Sequence, residues 1–373
     1  MQLRSYSTPR VAIAGGGPAG AIVAMTLARQ GLRPVVFEAA PEPQAKVGEC
    51  LPPASLPLLN RLGLTAHILE GPHLPSYGNR SCWGSDHPLE RDFLFGIYGA
   101  GWHLNRRCFE EVLARVAMES GAEWHYASRI TSVRWHNGHW ECTVEKSGAK
   151  HDNGADFLVD ATGRRASLAR RLGAHRVSYD KLVGLASQLK PTNGSGMTDT
   201  FTLVEAVPSG WWYSALLSDG ELVMAYLTDH DLPEFRLARQ FEGWWEMLSQ
   251  TRYSWSRVQE HGYQPYLPLR ILPASSVRLT SIFGQRWLAV GDAAAAYDPL
   301  SSHGITTAMG CGFYAAQAIT NLLDGQAEAH FAYLSLLEKT YAIYLEQQRE
   351  CYASEQRWPW HPFWSRRHTK AGS

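Results

Sequence analysis

The sequence has no excess of charge of either sign: 35 Lys and Arg face 35 Asp and Glu, for a formal net charge of zero. No field of one sign therefore draws it to nucleic acid or to an acidic lipid surface. It also lacks any uninterrupted apolar run of the ~20 residues that a membrane span needs. Neither a nucleic-acid partner nor a membrane is expected. Cysteine is sparse and scattered: Cys50, Cys82, Cys108, Cys142, Cys311 and Cys351 form no C-x-x-C pair and have no histidine pairs beside them at metal spacing. Free thiols in a reducing compartment, and no metal site, are the expectation. Met1 to Arg10 has no apolar core of the kind a secretory signal carries, so a cytoplasmic protein is expected. Internal repeats and low-complexity segments are absent.

What the sequence does have is the means to bury a large core, since 45% of its 373 residues are hydrophobic and 14 are tryptophan. Val11 to Ala14 is a β-branched run that ends in glycines, as a buried strand does. Pro18 to Gln30 places Ala19, Ile22, Val23, Met25, Leu27 and Ala28 on a helix that Gly31 closes, and Pro34 to Glu38 is a second strand. The chain thus opens on a β-α-β unit. An amphipathic helix follows at Phe109 to Glu119, with strand candidates at Trp124 to Tyr126, Ile130 to Trp135, Trp140 to Glu145 and Phe157 to Asp160. Lys181 to Tyr226 alternates in the manner of an antiparallel sheet, and Glu234 to Ser249 reads as a helix. Trp287 to Gly291 returns to the buried-strand type, and helices run from about Gly304 to Leu323 and from about Ala327 to Glu355. The pattern is α/β, a nucleotide-binding domain interrupted by a β-rich insertion.

The sharpest local signal is Gly15-Gly16-Gly17-Pro18-Ala19-Gly20. Gly15 permits the tight turn, Gly17 lets a pyrophosphate approach the backbone, and Gly20 lets the helix pack close to the sheet. The phosphates would meet free N–H groups and the positive end of the helix dipole. Glu38 ends the next strand at the spacing expected for a ribose-binding carboxylate; it is otherwise an ordinary exposed strand end.

Such a turn serves NAD and FAD alike, and later segments separate them by resemblance. Val159-Asp160-Ala161-Thr162-Gly163-Arg164 resembles the second adenine-side segment of glutathione-reductase-type flavoproteins. Gly291-Asp292-Ala293-Ala294 resembles their GD motif, whose aspartate holds the ribityl chain. Asp298-Pro299-Leu300-Ser301-Ser302-His303-Gly304-Ile305 resembles the loop-to-helix turn beside the isoalloxazine in the aromatic hydroxylases. A helix starting near Gly304 would aim its positive end at the flavin and favour the anionic reduced form. Asn105 to Glu110 resembles the segment whose arginine, here Arg106, contacts the FAD phosphates; the alternative is a solvated charge at a helix N-terminus, where it is mildly unfavourable. Ile130 joins the FAD set on the same resemblance. Together these segments imply a glutathione-reductase-type FAD-binding Rossmann fold with an inserted β-sheet substrate domain. The implied layout has FAD-domain parts at 1–80, 103–175 and 276–325, substrate-domain strands at 81–102, a β-rich substrate domain at 176–275, and a C-terminal helix and aromatic tail at 326–373.

Val47-Gly48-Glu49-Cys50-Leu51-Pro52-Pro53 resembles the V-G-E-x-x-P segment of the flavin-dependent halogenases and their non-halogenating relatives. It adds Gly48 to the cofactor set and makes Glu49 either a proton handler or a shaper of the flavin loop. His303 divides similarly, between a flavin-side proton handler and a hydrogen-bonding residue at the helix N-terminus. Gly210-Trp211-Trp212-Tyr213-Ser214-Ala215-Leu216 occupies the place of the halogenase W-x-W-x-I-P signature and departs from it. Halogenases also need a lysine some tens of residues after the V-G-E segment, and between Val47 and Glu145 there is none. Halogenation is not expected.

Within this group the chain resembles the LodB-like maturation flavoproteins that accompany amino-acid oxidases containing cysteine tryptophylquinone. The resemblance lies in Gly210 to Leu216 and in the ending Glu355-Gln356-Arg357-Trp358-Pro359, followed by Pro362-Phe363-Trp364-Ser365-Arg366-Arg367. It implies oxygen insertion into a tryptophan of a quinoprotein oxidase precursor, with FAD, molecular oxygen, and NAD(P)H or an external reductant as electron donor. No second G-x-G-x-x-G is present for a resident nicotinamide. Trp358, Trp360, Phe363 and Trp364 either pin the last helix to the body or, with Trp211, Trp212, Arg357, Arg366 and Arg367, form a docking surface. Three rival readings stay open: a small-molecule aromatic hydroxylase, a geranylgeranyl-reductase-like enzyme, and a flavin-bearing chaperone without catalysis.

Overall fold

The computed structural model describes residues 8–192 and 197–368. A six-stranded sheet runs in the order Phe283–Gly284, Trp287–Ala289, Phe157–Asp160, Arg10–Ala14, Arg33–Phe37 and Glu123–His125. All its pairings are parallel except the hairpin at Phe283–Gly284. Its central strands are buried at every position after the first residue of Arg10–Ala14 and of Arg33–Phe37 and throughout Phe157–Asp160, because both faces are covered. On these faces lie helices α1 (Pro18–Arg29), α2 (Arg106–Glu119), α3 (Gly304–Leu323) and α4 (Ala329–Ser354). Helices α1 and α3 meet backbone to backbone: a Cβ on Gly312 would lie 2.6 Å from the Ala19 carbonyl oxygen. A larger residue at 312 would push α3 off α1.

A second sheet runs in the order Tyr263–Pro265, Leu182–Pro191, Leu222–Asp229, Gly210–Leu216, Thr202–Val207, Gly78–Cys82 and Leu89–Asp92, with Arg270–Pro273 also paired to Leu182–Pro191. It is antiparallel except where Thr202–Val207 lies parallel to Gly78–Cys82. Alternation along Gly210–Leu216 sends neighbouring side chains to opposite faces. Trp212 packs with Trp244 and Leu248 of the helices beyond the sheet, while Trp211 packs with Tyr352, Phe363 and Trp364.

The expected helix at Glu234 to Ser249 is two helices, Pro233–Ala238 and Phe241–Ser249, because Gln240 is extended. The break folds the second helix back until a Cβ on Gly243 would lie 2.5 Å from the Leu237 carbonyl oxygen. Ala149–Ala155 is a strand that the sequence pattern hides, since almost every residue in it is exposed and polar. It is held by pairing to His139–Lys146 rather than by burial.

The described part of the C-terminal tail is pinned to the body. Phe363 and Trp364 are fully buried, and the Trp364 indole N–H donates to the Val207 carbonyl (3.0 Å). Arg367 is paired to Asp229 (2.7 Å) and Arg357 to Glu355 (2.5 Å). Trp211 and Trp212 are each 1% exposed, one on either face of the sheet. Of the tail's aromatic side chains, Trp360 stays exposed. Large apolar side chains do reach solvent elsewhere, at Leu94, Phe95 and Ile97 between the strands Leu89–Asp92 and Gly101–His103.

Candidate functional site

The C-terminal ends of the parallel strands bring the glycine turn, Glu38, Ala161 and Gly291 to one edge of the first sheet, where open α/β sheets bind ligands. Gly15 has φ +102°, and a Cβ there would collide with the Ala161 carbonyl; one on Gly20 would collide with the Gly15 carbonyl. Gly291, at φ +56°, faces the Ala19 Cβ at 2.7 Å. These glycines are required by packing alone. Gly17 differs, because a Cβ there meets nothing within 4 Å, and the helix it begins has no side-chain cap. Pro18 and Ala19 form the first turn of that uncapped helix. The open cradle and the free helix end are what a pyrophosphate fits.

Glu38 is engaged by the turn: its carboxylate accepts from the backbone N–H of Gly16 (2.6 Å) and of Ala40 (2.8 Å). Beside it, Trp124 packs on Gly16 and its indole N–H is buried without a hydrogen-bond partner. Asp160 organises the adjacent turn, accepting from the Thr162 N–H (2.9 Å), the Thr162 hydroxyl (2.6 Å) and the Ala169 N–H (2.8 Å). Gly163, at φ +63°, leaves open space on its Cβ side. Ile130 stands apart, since its side chain is in the core and its carbonyl accepts from Arg171. Its strand meets the cluster through Ser128, whose N–H donates to the Glu38 carbonyl.

Arg106 is no solvated charge. Its guanidinium is buried beside Glu110 (2.6 Å) and donates to the Gly48 carbonyl (2.6 Å), while its Nε–H is left without a partner. Glu110 is also held by Lys46 (2.6 Å). Enclosure pushes the Asp292 carboxyl up, and Arg164 and then Arg106 pull it back. Arg164, a residue that sequence reasoning left without a role, lies 3.5 Å from Asp292 and donates to the carbonyls of Ser275 (2.7 Å) and Tyr297 (2.5 Å). Unpartnered donors, paired guanidinium groups and an open glycine cradle fit a dinucleotide with a pyrophosphate bridge.

The turn at Asp298 to His303 leads into α3, with Pro299 in its short helical turn, Ile305 buried and Gly304 open on its Cβ side. His303 sits at the N-cap position without a side-chain cap bond, so its helix-capping alternative is not realised; loss of solvent around the ring lowers its pKa and favours neutral imidazole. Ser55 bridges to Thr306 of α3 (2.5 Å).

Helix α4 carries a row of hydroxyls and an amide that hold this segment. Tyr333 donates to the Ala289 carbonyl (3.0 Å), Tyr341 to the Ala296 carbonyl (3.4 Å), and Tyr344 accepts the Asp298 N–H (2.7 Å). Gln348 (3.0 Å) and Tyr352 (2.7 Å) donate to the Asp298 carboxylate, and the Tyr352 oxygen accepts from the Trp211 indole (3.0 Å). Burial, with Asp180 adding to it, pushes the Asp298 carboxyl up to about 6. Because the folded value is raised, the protein loses stability as pH climbs from the usual carboxyl range through 6. The Tyr352 hydroxyl offsets part of that loss by solvating the charged form. Tyr352→Phe is therefore expected to cost about 3 kcal/mol at pH 8 and roughly half that at pH 5. Urea unfolding at both pH values checks this; equal losses would contradict it.

Glu49 is 1% exposed, and its carboxylate accepts from the Tyr213 hydroxyl and from the Gly48 N–H (2.9 Å). Gly48, at φ +97°, is wedged between Arg106 and Glu49, a backbone shape that favours glycine. The segment Lys46 to Leu51 thus touches both the dinucleotide cradle and the second sheet.

Known proteins match this arrangement. Residues 8–210 match the family model described as an FAD binding domain. A putative FAD-dependent oxidoreductase, LodB of Marinomonas mediterranea, is 30% identical over 360 residues, covering 95% of this chain and 96% of that one. Among solved structures, the myxobacterial chondrochloren halogenase CndH superposes with a TM-score of 0.89 at 22% identity, over 98% of this chain and 87% of that one. QhpG, described as a peptidyl tryptophan dihydroxylase essential for tryptophylquinone cofactor biogenesis, superposes with a TM-score of 0.75 at 24% identity, over 98% of this chain and 80% of that one. At these identities the two structures speak to the fold.

Proposed function

The chain belongs to the FAD-binding-domain family, among its LodB-like oxidoreductases, and from that membership we propose that it hydroxylates a tryptophan of a partner oxidase precursor during cysteine tryptophylquinone biogenesis. It is an FAD-dependent oxidoreductase with an α/β FAD-binding fold. The observation that carries the finer reading is the likeness to LodB, which runs over nearly the full length of both chains rather than the flavin domain alone. The peptidyl tryptophan chemistry in the description of QhpG supports the same substrate class.

When bound, the flavin supplies the redox chemistry, taking electrons from NAD(P)H or an external reductant and passing them to molecular oxygen. The chain's own residues do the rest. Gly17 and the uncapped start of α1 receive the pyrophosphate, Glu38 the ribose, Arg106 the phosphates, and Asp292, steadied by Arg164, the ribityl chain. Gly48, Ala161, Gly163, Pro299, Gly304 and Ile305 shape the backbone around it. Glu49 and His303 are the proton-handling groups in this reading: one a buried carboxyl with raised proton affinity, the other a partly desolvated imidazole with lowered proton affinity. The second sheet, through Tyr213, covers Glu49 and leaves it 1% exposed. Halogenation is not part of this reading, because the span from Val47 to Glu145 holds no lysine. No described helix is long and apolar enough to cross a membrane.

A protein substrate should couple oxygen use to its own presence. With FAD and a reductant supplied, oxygen consumption is expected to rise on adding the precursor and to stay at background with free tryptophan or simple phenols. Turnover of free indoles or phenols without the precursor would instead identify a small-molecule hydroxylase.

A further inference from the structure

Glu49 is buried and forms no ion pair among the described residues. The nearest guanidinium, Arg106, spends its hydrogen bonds on the Gly48 carbonyl and Glu110. Its partners are N–H or O–H donors: the Gly48 amide and its own amide within the loop, and the Tyr213 hydroxyl from the second sheet. Tyr213 is itself partly buried, and desolvation raises its hydroxyl well above the usual tyrosine range, so it stays a donor near neutral pH.

The same loop has a second tether to the same sheet, which does not touch the carboxylate. Cys50 lies 3.3 Å from the Thr202 hydroxyl, which lies 3.0 Å from His103 Nε2, and His103 Nδ1 lies 2.8 Å from the Leu216 carbonyl. Burial holds His103 down at about 4, hence neutral. Its Nδ1–H must donate to Leu216, so Nε2 accepts from Thr202, whose oxygen then faces the Cys50 thiol. That chain ends on a backbone carbonyl and has no spare proton to pass to Glu49. The two tethers meet where the Cys50 thiol lies against the Tyr213 hydroxyl, and of their side chains it is Tyr213 that hydrogen-bonds the Glu49 carboxylate.

We propose that Tyr213 is a positioning residue: its hydroxyl orients the Glu49 carboxyl and governs how tightly it holds its proton, placing control of that group in the substrate sheet. The proposal rests on Glu49 acting as an acid or base in the function set out above. A donor aimed at the carboxylate stabilises its charged form, so removing it raises proton affinity. The charged or titratable groups that face Glu49 are Arg106 from α2, Cys50 from its own loop and Tyr213 from the sheet. Of these, Arg106 favours the carboxylate, while Cys50 stays a thiol because burial raises it to about 11.

The test is an infrared pH titration of the buried carboxyl in FAD-loaded protein, with Glu49→Gln identifying its band. No substrate is needed, so the outcome does not depend on which substrate is correct. Tyr213→Phe should move the titration upward by about one pH unit, a tenfold gain in proton affinity. Thr202→Val, which cuts the other tether, should leave it in place. An unmoved titration in Tyr213→Phe, or an equal shift in both variants, would overturn the proposal. Should Tyr213→Phe fold poorly, a double-mutant cycle of Tyr213→Phe with Glu49→Gln on thermal unfolding decides: non-additive losses support the pairing and additive ones contradict it.

Discussion

Gly17→Val should leave the protein folded and strip it of FAD. The backbone at Gly17 has φ −69° and ψ −177°, an extended shape that valine adopts readily, and the added Cβ meets no protein atom within 4 Å. Nothing in the chain itself resists the change. The space it fills is the one through which a pyrophosphate reaches the first turn of α1, so the branched side chain stands where phosphate oxygens must come. A loss of at least ~100-fold in FAD affinity, about 2.7 kcal/mol or more, is expected. Gly20→Val is the contrast. Its Cβ would collide with the Gly15 carbonyl, so it should lower the unfolding temperature as well as flavin content. Wild-type protein should prefer FAD to FMN, because Gly17, Glu38 and Arg106 address the half that FMN lacks. Flavin absorbance after dialysis, with a thermal melt on the same samples, separates the cases. Gly17→Val protein that keeps its flavin would remove the glycine turn from the site.

The dinucleotide half of the site was legible in the sequence because its residues are neighbours along the chain and their types are dictated by backbone geometry. Gly15, Gly20 and Gly291 each sit where a Cβ has no room. The residues that were not legible act across long sequence separations. Tyr213 reaches Glu49, Arg164 reaches Ser275 and Tyr297, and Tyr352 joins Trp211 to Asp298. No local pattern announces such partners, although the spacing of Tyr341, Tyr344, Gln348 and Tyr352 on one long helix was available as a stripe of polar side chains on an otherwise apolar face. The tail stayed ambiguous for a different reason. Tryptophan and arginine mark both docking surfaces and well-packed edges, and here Asp229 neutralises Arg367 while the sheet buries Trp364. The strand Ala149–Ala155 escaped because hairpin pairing needs no apolar side chains.

The central claim is that this chain puts oxygen into a tryptophan of another protein. The second large effect follows from it and is all-or-none. A precursor made without this chain should keep an unmodified tryptophan, since the flavin bound here is what activates oxygen in this account. Gly17→Val serves as the matched control, being folded and flavin-free, so it separates catalysis from a chaperone role. A flavin-bearing chaperone that works by contact alone would still allow maturation when supplied in that form. The decisive measurement is the intact mass of the precursor co-expressed with wild-type chain, with Gly17→Val, and with neither. The expected result is a gain of oxygen mass, located on tryptophan by peptide mapping, with wild-type chain alone. A precursor that gains the same mass when this chain is absent would contradict the account.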